Sequence, residues 1–218
     1  MIRSSQRLPK RLAQSATLML GAALFVAVIT PMPASASSQS PEQVAKQTVQ
    51  KILQDMKGHR QQLRNNSAQL RALINKDLMP VVDLDYTSQL TLGRYWREAT
   101  PEQRNKFEKA FKNMLIQNYG DALLKLKSGD NMQYLPVRAP ANASNVTFNA
   151  IYHSPNGHNV HLALKMHKVH GQWEIYDASG ENLSFVTNFK EQFTNRIQQV
   201  GLSKFIQQMQ QRYGTSSG

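Results

Sequence analysis

Histidine is the residue type in this chain whose spacing first invites chemistry. Four of the six histidines stand three apart, as His158-x-x-His161 and His167-x-x-His170. On a helix such a pair converges on a metal ion, but the residues around these alternate apolar and polar, as in a strand. There, residues three apart point to opposite faces. His161 and His167 share a face yet lie roughly 20 Å apart along it. His153 and His161 remain as diagonal neighbours with no third ligand nearby, so the expectation is a solvated face and no metal. Cysteine is absent, which removes disulfides, thiolate metal sites and thiol catalysis. No G-x-S-x-G, H-E-x-x-H or Gly-rich phosphate loop occurs. The protein is therefore expected to be no enzyme and to need no cofactor.

The strands that carry these histidines run between Met132 and Ala178, four in number. Val146, Phe148, Ala150 and Tyr152 alternate with polar residues, as do Val160, Leu162, Leu164 and Met166. A two-residue Asn-Gly turn would put these two apolar sets on opposite faces. A three-residue loop, Pro155-Asn156-Gly157, instead pairs Tyr152 with Val160, Ala150 with Leu162, Phe148 with Leu164 and Val146 with Met166. It also sets Gly157 at the left-handed position of a bulge. His170-Gly171 closes the next hairpin, with Met166 opposite Ile175 and Lys168 near Trp173. The sheet then has one apolar face, which needs a cover, and one wet face with His153, His161, His167 and Glu174. In this register Asp177 falls opposite Leu164 on the apolar side, where a carboxylate has a raised pKa and could act as a general base. The more ordinary role is to accept hydrogen bonds from Ala178-Ser179-Gly180, and that is the reading adopted.

Helices must supply the cover. Ser40-Pro41-Glu42-Gln43 and Thr100-Pro101-Glu102-Gln103 both read as capping boxes with proline at the first helical position. The first helix ends near Gly58, a second runs from Ser67 to before Pro80, and a short segment covers Leu84 to Leu92. After Thr100, Phe107, Phe111, Met114, Leu115, Tyr119 and Leu123 give one apolar, aromatic face. Phe185, Phe189, Phe193 and Ile197 recur every four residues. After Gly201 the stripe continues with Leu202, Phe205, Ile206, Met209 and Tyr213, and these C-terminal helices are expected to cover part of the sheet. The fold class is α+β, a small antiparallel sheet of about four strands covered by several helices. It divides into a helical half (41–128), a sheet (131–178) and C-terminal helices (183–213). So much apolar face fits an ordinary close-packed core or a cavity for an apolar ligand, and periodicity does not separate the two.

The first 36 residues read as an address. Arg3, Arg7, Lys10 and Arg11 precede an apolar run from Thr17 to Thr30, and Ala34-Ser35-Ala36 offers a cleavage site. The run spans about 21 Å as a helix, short of a roughly 30 Å hydrocarbon core. Residues 1–36 are thus expected to be a signal peptide and 37–218 a single exported domain. The full chain carries +12; without those four bases it carries +8, with no basic run. No nucleic-acid partner is expected. A basic surface facing anionic lipid or an acidic partner fits, as does plain solubility.

The stretch Leu92-Gly93-Arg94-Tyr95-Trp96-Arg97-x-Ala99-Thr100-x-x-Gln103-Arg104-x-x-Phe107-x-x-x-Phe111-x-x-x-Leu115-x-x-x-Tyr119 closely resembles the central signature of the MlaC, or toluene-tolerance, family. Gly171-x-Trp173-x-Ile175-Tyr176-Asp177, then Ser184, Phe193, Gly201 and Leu202, is similar to that family's C-terminal half. Two positions depart: Asn182-Leu183-Ser184 stands where the family usually has Gly-x-Ser, and Phe189-Lys190 where it often has Tyr-Arg. Asn tolerates positive φ, so the turn is expected to survive; Lys would weaken any planar contact made by Arg, so Lys190 takes no assigned role.

The resemblance implies a nuclear-transport-factor-2 type of fold with added helices, enclosing an apolar pocket for phospholipid tails. It implies a monomeric periplasmic carrier. Its partners would be an outer-membrane lipoprotein–porin complex and an inner-membrane ABC transporter with its periplasmic lipid-binding subunit, and its role to maintain outer-membrane lipid asymmetry. The candidate lining is Phe148, Tyr152, Leu162, Leu164, Met166 and Ile175 from the sheet, with Trp96, Phe111 and Leu115 from the helices. The alternative reading is a periplasmic chaperone or adaptor whose groove accepts apolar segments of outer-membrane proteins.

Overall fold

Capping residues and glycine turns divide the chain into the elements of the computed structural model, which describes residues 39–126, 131–140, 142–154 and 157–214. The helical half has α1 (Pro41–Met56), α2 (Arg60–Asn65), α3 (Ser67–Asp77), a 3₁₀ turn (Met79–Val81), α4 (Leu84–Leu92), α5 (Arg94–Glu98) and α6 (Pro101–Lys125). Then come β1 (Met132–Tyr134), β2 (Asn145–His153), β3 (Asn159–Val169), β4 (Gln172–Gly180), β5 (Leu183–Ser184), α7 (Phe185–Val200) and α8 (Leu202–Tyr213). Both capping boxes form: Ser40 Oγ accepts from the Gln43 amide and Thr100 Oγ1 from the Gln103 amide, each glutamine side chain accepting in return. The short α2 escapes the sequence reading, and α3 is capped by the Asn66 side chain, one residue before Ser67. The described residues between 39 and 214 belong to one compact unit. Residues 1–36, expected to be a signal peptide, lie outside the described residues. Among the described residues no helix is long and apolar enough to cross a membrane.

The five strands form one antiparallel sheet in the order β1-β2-β3-β4-β5, one short strand more than expected. All four pairs expected between β2 and β3 are present, from Tyr152–Val160 to Val146–Met166. Residues 155 and 156 lie outside the described residues, but Gly157 has φ +81° and donates its amide to Ser154 O. Met166 faces Ile175 and Lys168 faces Trp173, again as expected.

Beyond Ile175 the expected register fails. A β-bulge between Lys165 and Met166 sets Asp177 opposite Lys165 and Ala178 opposite Leu164. The extra residue, Tyr176, turns Asp177 off the apolar side. The carboxylate therefore does not sit in the apolar surroundings expected for it opposite Leu164.

The buried part of the apolar face is Val146, Phe148, Ala150, Met166, Trp173 and Ile175. It packs against Val44 and Ala45 of α1 and against Val81 and Val82. Val82 bridges to Ile175 in parallel, and the Asp83 amide donates to Ile175 O at 2.9 Å, so residues 82–83 run beside β4. The C-terminal helices were expected to share this cover; α7 does touch β4 and β5, but neither helix contributes to the cluster on the apolar face. Phe189, Phe193, Ile197, Phe205, Ile206 and Met209 join Leu92, Trp96, Phe107 and Phe111 in a separate helical cluster. The four-residue phenylalanine repeats of α6 and α7 explain the preference, because their rings interlock edge to face: Phe111 with Phe189 at 5.5 Å, Phe107 with Phe193 at 5.7 Å.

Helix α6 is buried on more than the one face its pattern shows. Ile116 and Leu124 enter a third cluster with Ile52 and Met56 of α1, Leu63 of α2, and Leu70 and Ile74 of α3. Gly120 permits that approach, since a Cβ there would stand 3.1 Å from Leu70 Cδ2. The wet face of the sheet also needs correction. His153 and His161 are exposed, but His167 is half-buried: its Nε2 meets Asp83 Oδ2 at 2.9 Å and its ring stacks on Tyr86 at 4.9 Å. Glu174 beside it is half-buried too, and burial with the nearby Asp83 raises its pKa despite His167 and His170.

Candidate functional site

The apolar face of the sheet is covered unevenly. Along β2, Val146, Phe148 and Ala150 are buried while Tyr152 is half-buried; along β3, Met166 is buried while Leu164, Leu162 and Val160 are half-buried. Cover is therefore complete at the Met166 end and thins toward Val160. At the thin end Leu162 faces Gly180, and Gly180 pairs with Leu183, which is 72% exposed. Two residues on, Phe185 is partly exposed and rests on Tyr119 with ring centroids 4.9 Å apart. The result is an apolar strip, Tyr152, Leu162, Leu164 and Leu183, continuous with a buried wall of Phe148, Met166 and Ile175. Such a surface is chemically suited to contact with hydrocarbon.

The nine residues singled out from the sequence do not fall into one cluster. Phe148, Leu162, Leu164, Met166 and Ile175 belong to the sheet cluster, with half-buried Tyr152 at the same face's open end. Trp96 and Phe111 are buried in the helical cluster, with Leu115 packed against it.

Asp177 holds the rim of this strip. Its carboxylate accepts from Ser184 Oγ at 2.7 Å and from the Val186 amide at 3.1 Å, and it pairs with Lys165 Nζ at 3.1 Å. Ser184 in turn caps α7 by accepting from the Thr187 amide. One buried carboxylate thus ties the end of β4 to the start of α7, through residues later than the Ala178-Ser179-Gly180 partners expected. Asp177→Ala should cost about 1–3 kcal/mol, because Ser184 and Val186 lose a charged acceptor. Urea unfolding with an unchanged slope is the check.

A concavity lies elsewhere, where α4, α5 and α6 meet. It holds about 380 Å³ and is lined by Asp85, Gln89, Trp96, Pro101, Arg104, Asn105 and Glu108. Arg104 is turned toward the protein: its Nε donates to Trp96 O at 2.9 Å, and its guanidinium lies 5.1 Å from the Trp96 ring centroid. Burial raises the pKa of Glu108, and the hydrogen-bonded Asp85 and nearby Asp83 raise it further. The sequence reading missed this cleft. Its signal was two polar i, i+4 pairs, Asp85–Gln89 and Arg104–Glu108, on helices whose other faces are apolar.

A raised folded-state pKa means that Glu108 favours the fold when protonated, and that this contribution is lost as pH rises through its folded value. Glu108→Gln should therefore melt higher than the parent at pH 7. The difference should close once pH falls below the ordinary glutamate range, about 4.3. Melting curves at pH 7 and pH 4 test this.

Among the described residues no group of three or more His, Cys, Asp or Glu is placed to hold a metal ion. The MlaC protein family matches residues 46–211 of the chain, about three quarters of its length. The chain belongs to the MlaC family. It is 28% identical over 177 residues to the intermembrane phospholipid transport system binding protein MlaC of Haemophilus influenzae, covering 79% of this chain and 81% of that protein. It is 29% identical over 169 residues to the toluene tolerance protein ttg2D of Pseudomonas putida, covering 76% of each. A solved phospholipid-binding protein from Ralstonia solanacearum, in complex with a phospholipid, superposes with a TM-score of 0.74 at 27% identity. The match covers 81% of this chain and 98% of that one.

The two departures from the MlaC pattern now have structural meaning. Asn182 has φ +64°, the left-handed conformation in which the family's usual glycine is at ease. Lys190 lays its stem over Gly93, where a Cβ would stand 3.1 Å from Lys190 Cε. At φ +55° and ψ −123°, Gly93 needs glycine for its backbone as well.

Proposed function

We propose that this chain is a periplasmic phospholipid carrier, exported by residues 1–36 and folded as one domain over 37–218. Acyl tails lie along the half-covered strip of Tyr152, Leu162 and Leu164. Phe148, Met166 and Ile175 form the wall behind them, and Trp96, Phe111 and Leu115 form the helical packing that supports the chamber. The observation that carries this reading is the fold shared with a protein solved around a phospholipid. Working as a monomer without cofactor, the carrier would move lipid between an outer-membrane lipoprotein–porin complex and an inner-membrane ABC transporter with its periplasmic lipid-binding subunit. That exchange would maintain outer-membrane lipid asymmetry.

The physics of transfer asks for little else. Exposing hydrocarbon to water costs about 0.8 kcal/mol per CH₂, so two acyl chains of roughly 16 carbons cost on the order of 25 kcal/mol. A protein surface that replaces water along the tails removes most of that barrier without making or breaking a bond. The driving energy then comes from membrane partners. The test is uptake: protein stripped of lipid is mixed with vesicles containing fluorescent phospholipid and separated by gel filtration. Saturable label on the protein supports the carrier. Label confined to vesicles, with the protein still folded, overturns it.

A further inference from the structure

Among the described residues, the large hydrophobic side chains left exposed are Leu183 and Phe185, two positions apart at the open end of the apolar strip. Partners directly opposite in an antiparallel sheet share a face. Ala150, Leu162, Gly180 and Leu183 pair in turn across β2, β3, β4 and β5, so they form one row on the apolar face. Leu162 Cδ2 lies over Gly180, 3.9 Å from where a Cβ would stand. The row therefore leads from buried Ala150 to exposed Leu183 with no polar side chain between them. Its outer end is firmly held. Glu181 and Asn182 have φ +50° and +64°, the paired left-handed conformations of a two-residue type I′ turn. Ser184 and Val186, on either side of Phe185, are tied to Asp177. Residues 178–189 include one charged side chain, Glu181, whose Oε1 turns back to accept from the His161 amide at 3.0 Å.

Given the carrier function proposed above, we infer that Leu183 and Phe185 form a lip that enters the surface of a phospholipid bilayer, and that acyl tails pass between membrane and strip at this point. A tail that follows the row from Leu183 to Leu162 stays against apolar surface and need not cross water. A docking protein fits less well, because it covers about 800 Å² in a stable interface and two side chains present far less. The boundary of a bilayer accepts a small apolar insertion, and a tip with its one carboxylate turned inward brings little charge to it. The net positive charge of the chain favours approach to an anionic lipid surface.

Because the chain has no cysteine, a single introduced thiol carries a clean probe. The polarity-sensitive fluorophore NBD is attached to Leu183→Cys and, on the opposite face, to the exposed Thr147→Cys. Each purified protein, not stripped of lipid, is mixed with phosphatidylethanolamine–phosphatidylglycerol vesicles. On Leu183→Cys the emission should shift saturably to the blue and iodide quenching should fall at least threefold; on Thr147→Cys neither should change. Leu183→Asp should slow delivery of fluorescent phospholipid to the same vesicles at least tenfold per mole of lipid carried, and Leu183→Met should not. A silent probe on Leu183→Cys, an equal response on Thr147→Cys or undiminished delivery by Leu183→Asp overturns the lip, and leaves the carrier function standing if the protein holds phospholipid. A protein that takes up no phospholipid defeats the carrier function, while the probe still decides whether the lip enters a bilayer.

Discussion

Phe111→Ala should destabilise the protein by about 3–5 kcal/mol, the cost of emptying a large aromatic site that cannot collapse. Phe111 is 1% exposed, stacks on Phe107 at 5.4 Å and meets the edges of Phe189 and Phe193 at 5.5 and 5.8 Å. It therefore joins α6 to α7, and its loss also forfeits edge-to-face contacts worth about 0.5–1.5 kcal/mol each. Because α7 begins at Ser184 and Val186, which Asp177 ties to β4, loosening the α6–α7 contact should also loosen the rim of the apolar strip. Urea unfolding should show a lower midpoint. A loss under about 1.5 kcal/mol would mean that the ring stack is not what fixes α7.

Leu164→Asp should abolish lipid loading and leave the fold standing. Leu164 lies opposite Phe148 on the apolar face and is only half-buried, so a carboxylate there can reach water in the empty protein. With acyl chains against it the same carboxylate would be desolvated without a partner, a cost of several kcal/mol. Each 1.4 kcal/mol is a tenfold loss of affinity, so loading should fall by roughly 100-fold or more. Thr147→Asp is the control: it is exposed on the opposite face of β2 and should keep its lipid. Phosphorus analysis of the purified proteins checks both. Lipid retained by Leu164→Asp, or lost equally from Thr147→Asp, would move the site off this face.

Local rules were legible in the sequence wherever one short segment decides the geometry. Both capping boxes, the break at Gly201 and the β2–β3 register follow from residues within a few positions of each other. The placement of partners was not legible. The stripe of Phe185, Phe189, Phe193 and Ile197 states that one face is buried but not against what, and it packs on α6 while α1 takes the sheet. The bulge at Tyr176 has no glycine to announce it, and it moves Asp177 from the apolar side to Lys165. His167 read as solvated because the strand pattern cannot show that Tyr86 stacks on it. Of the candidate lining, the sheet residues share one face, whereas Trp96, Phe111 and Leu115 belong to a different packing unit.

Native mass spectrometry of the mature protein, purified from bacteria without detergent, tests the central claim most directly. The account predicts a dominant species heavier than the polypeptide by the mass of diacyl phospholipid, about one per chain. Organic extraction should release that lipid and lower the melting midpoint of the stripped protein. A spectrum showing the bare polypeptide alone, with no phospholipid in the extract and no change in melting, would contradict it.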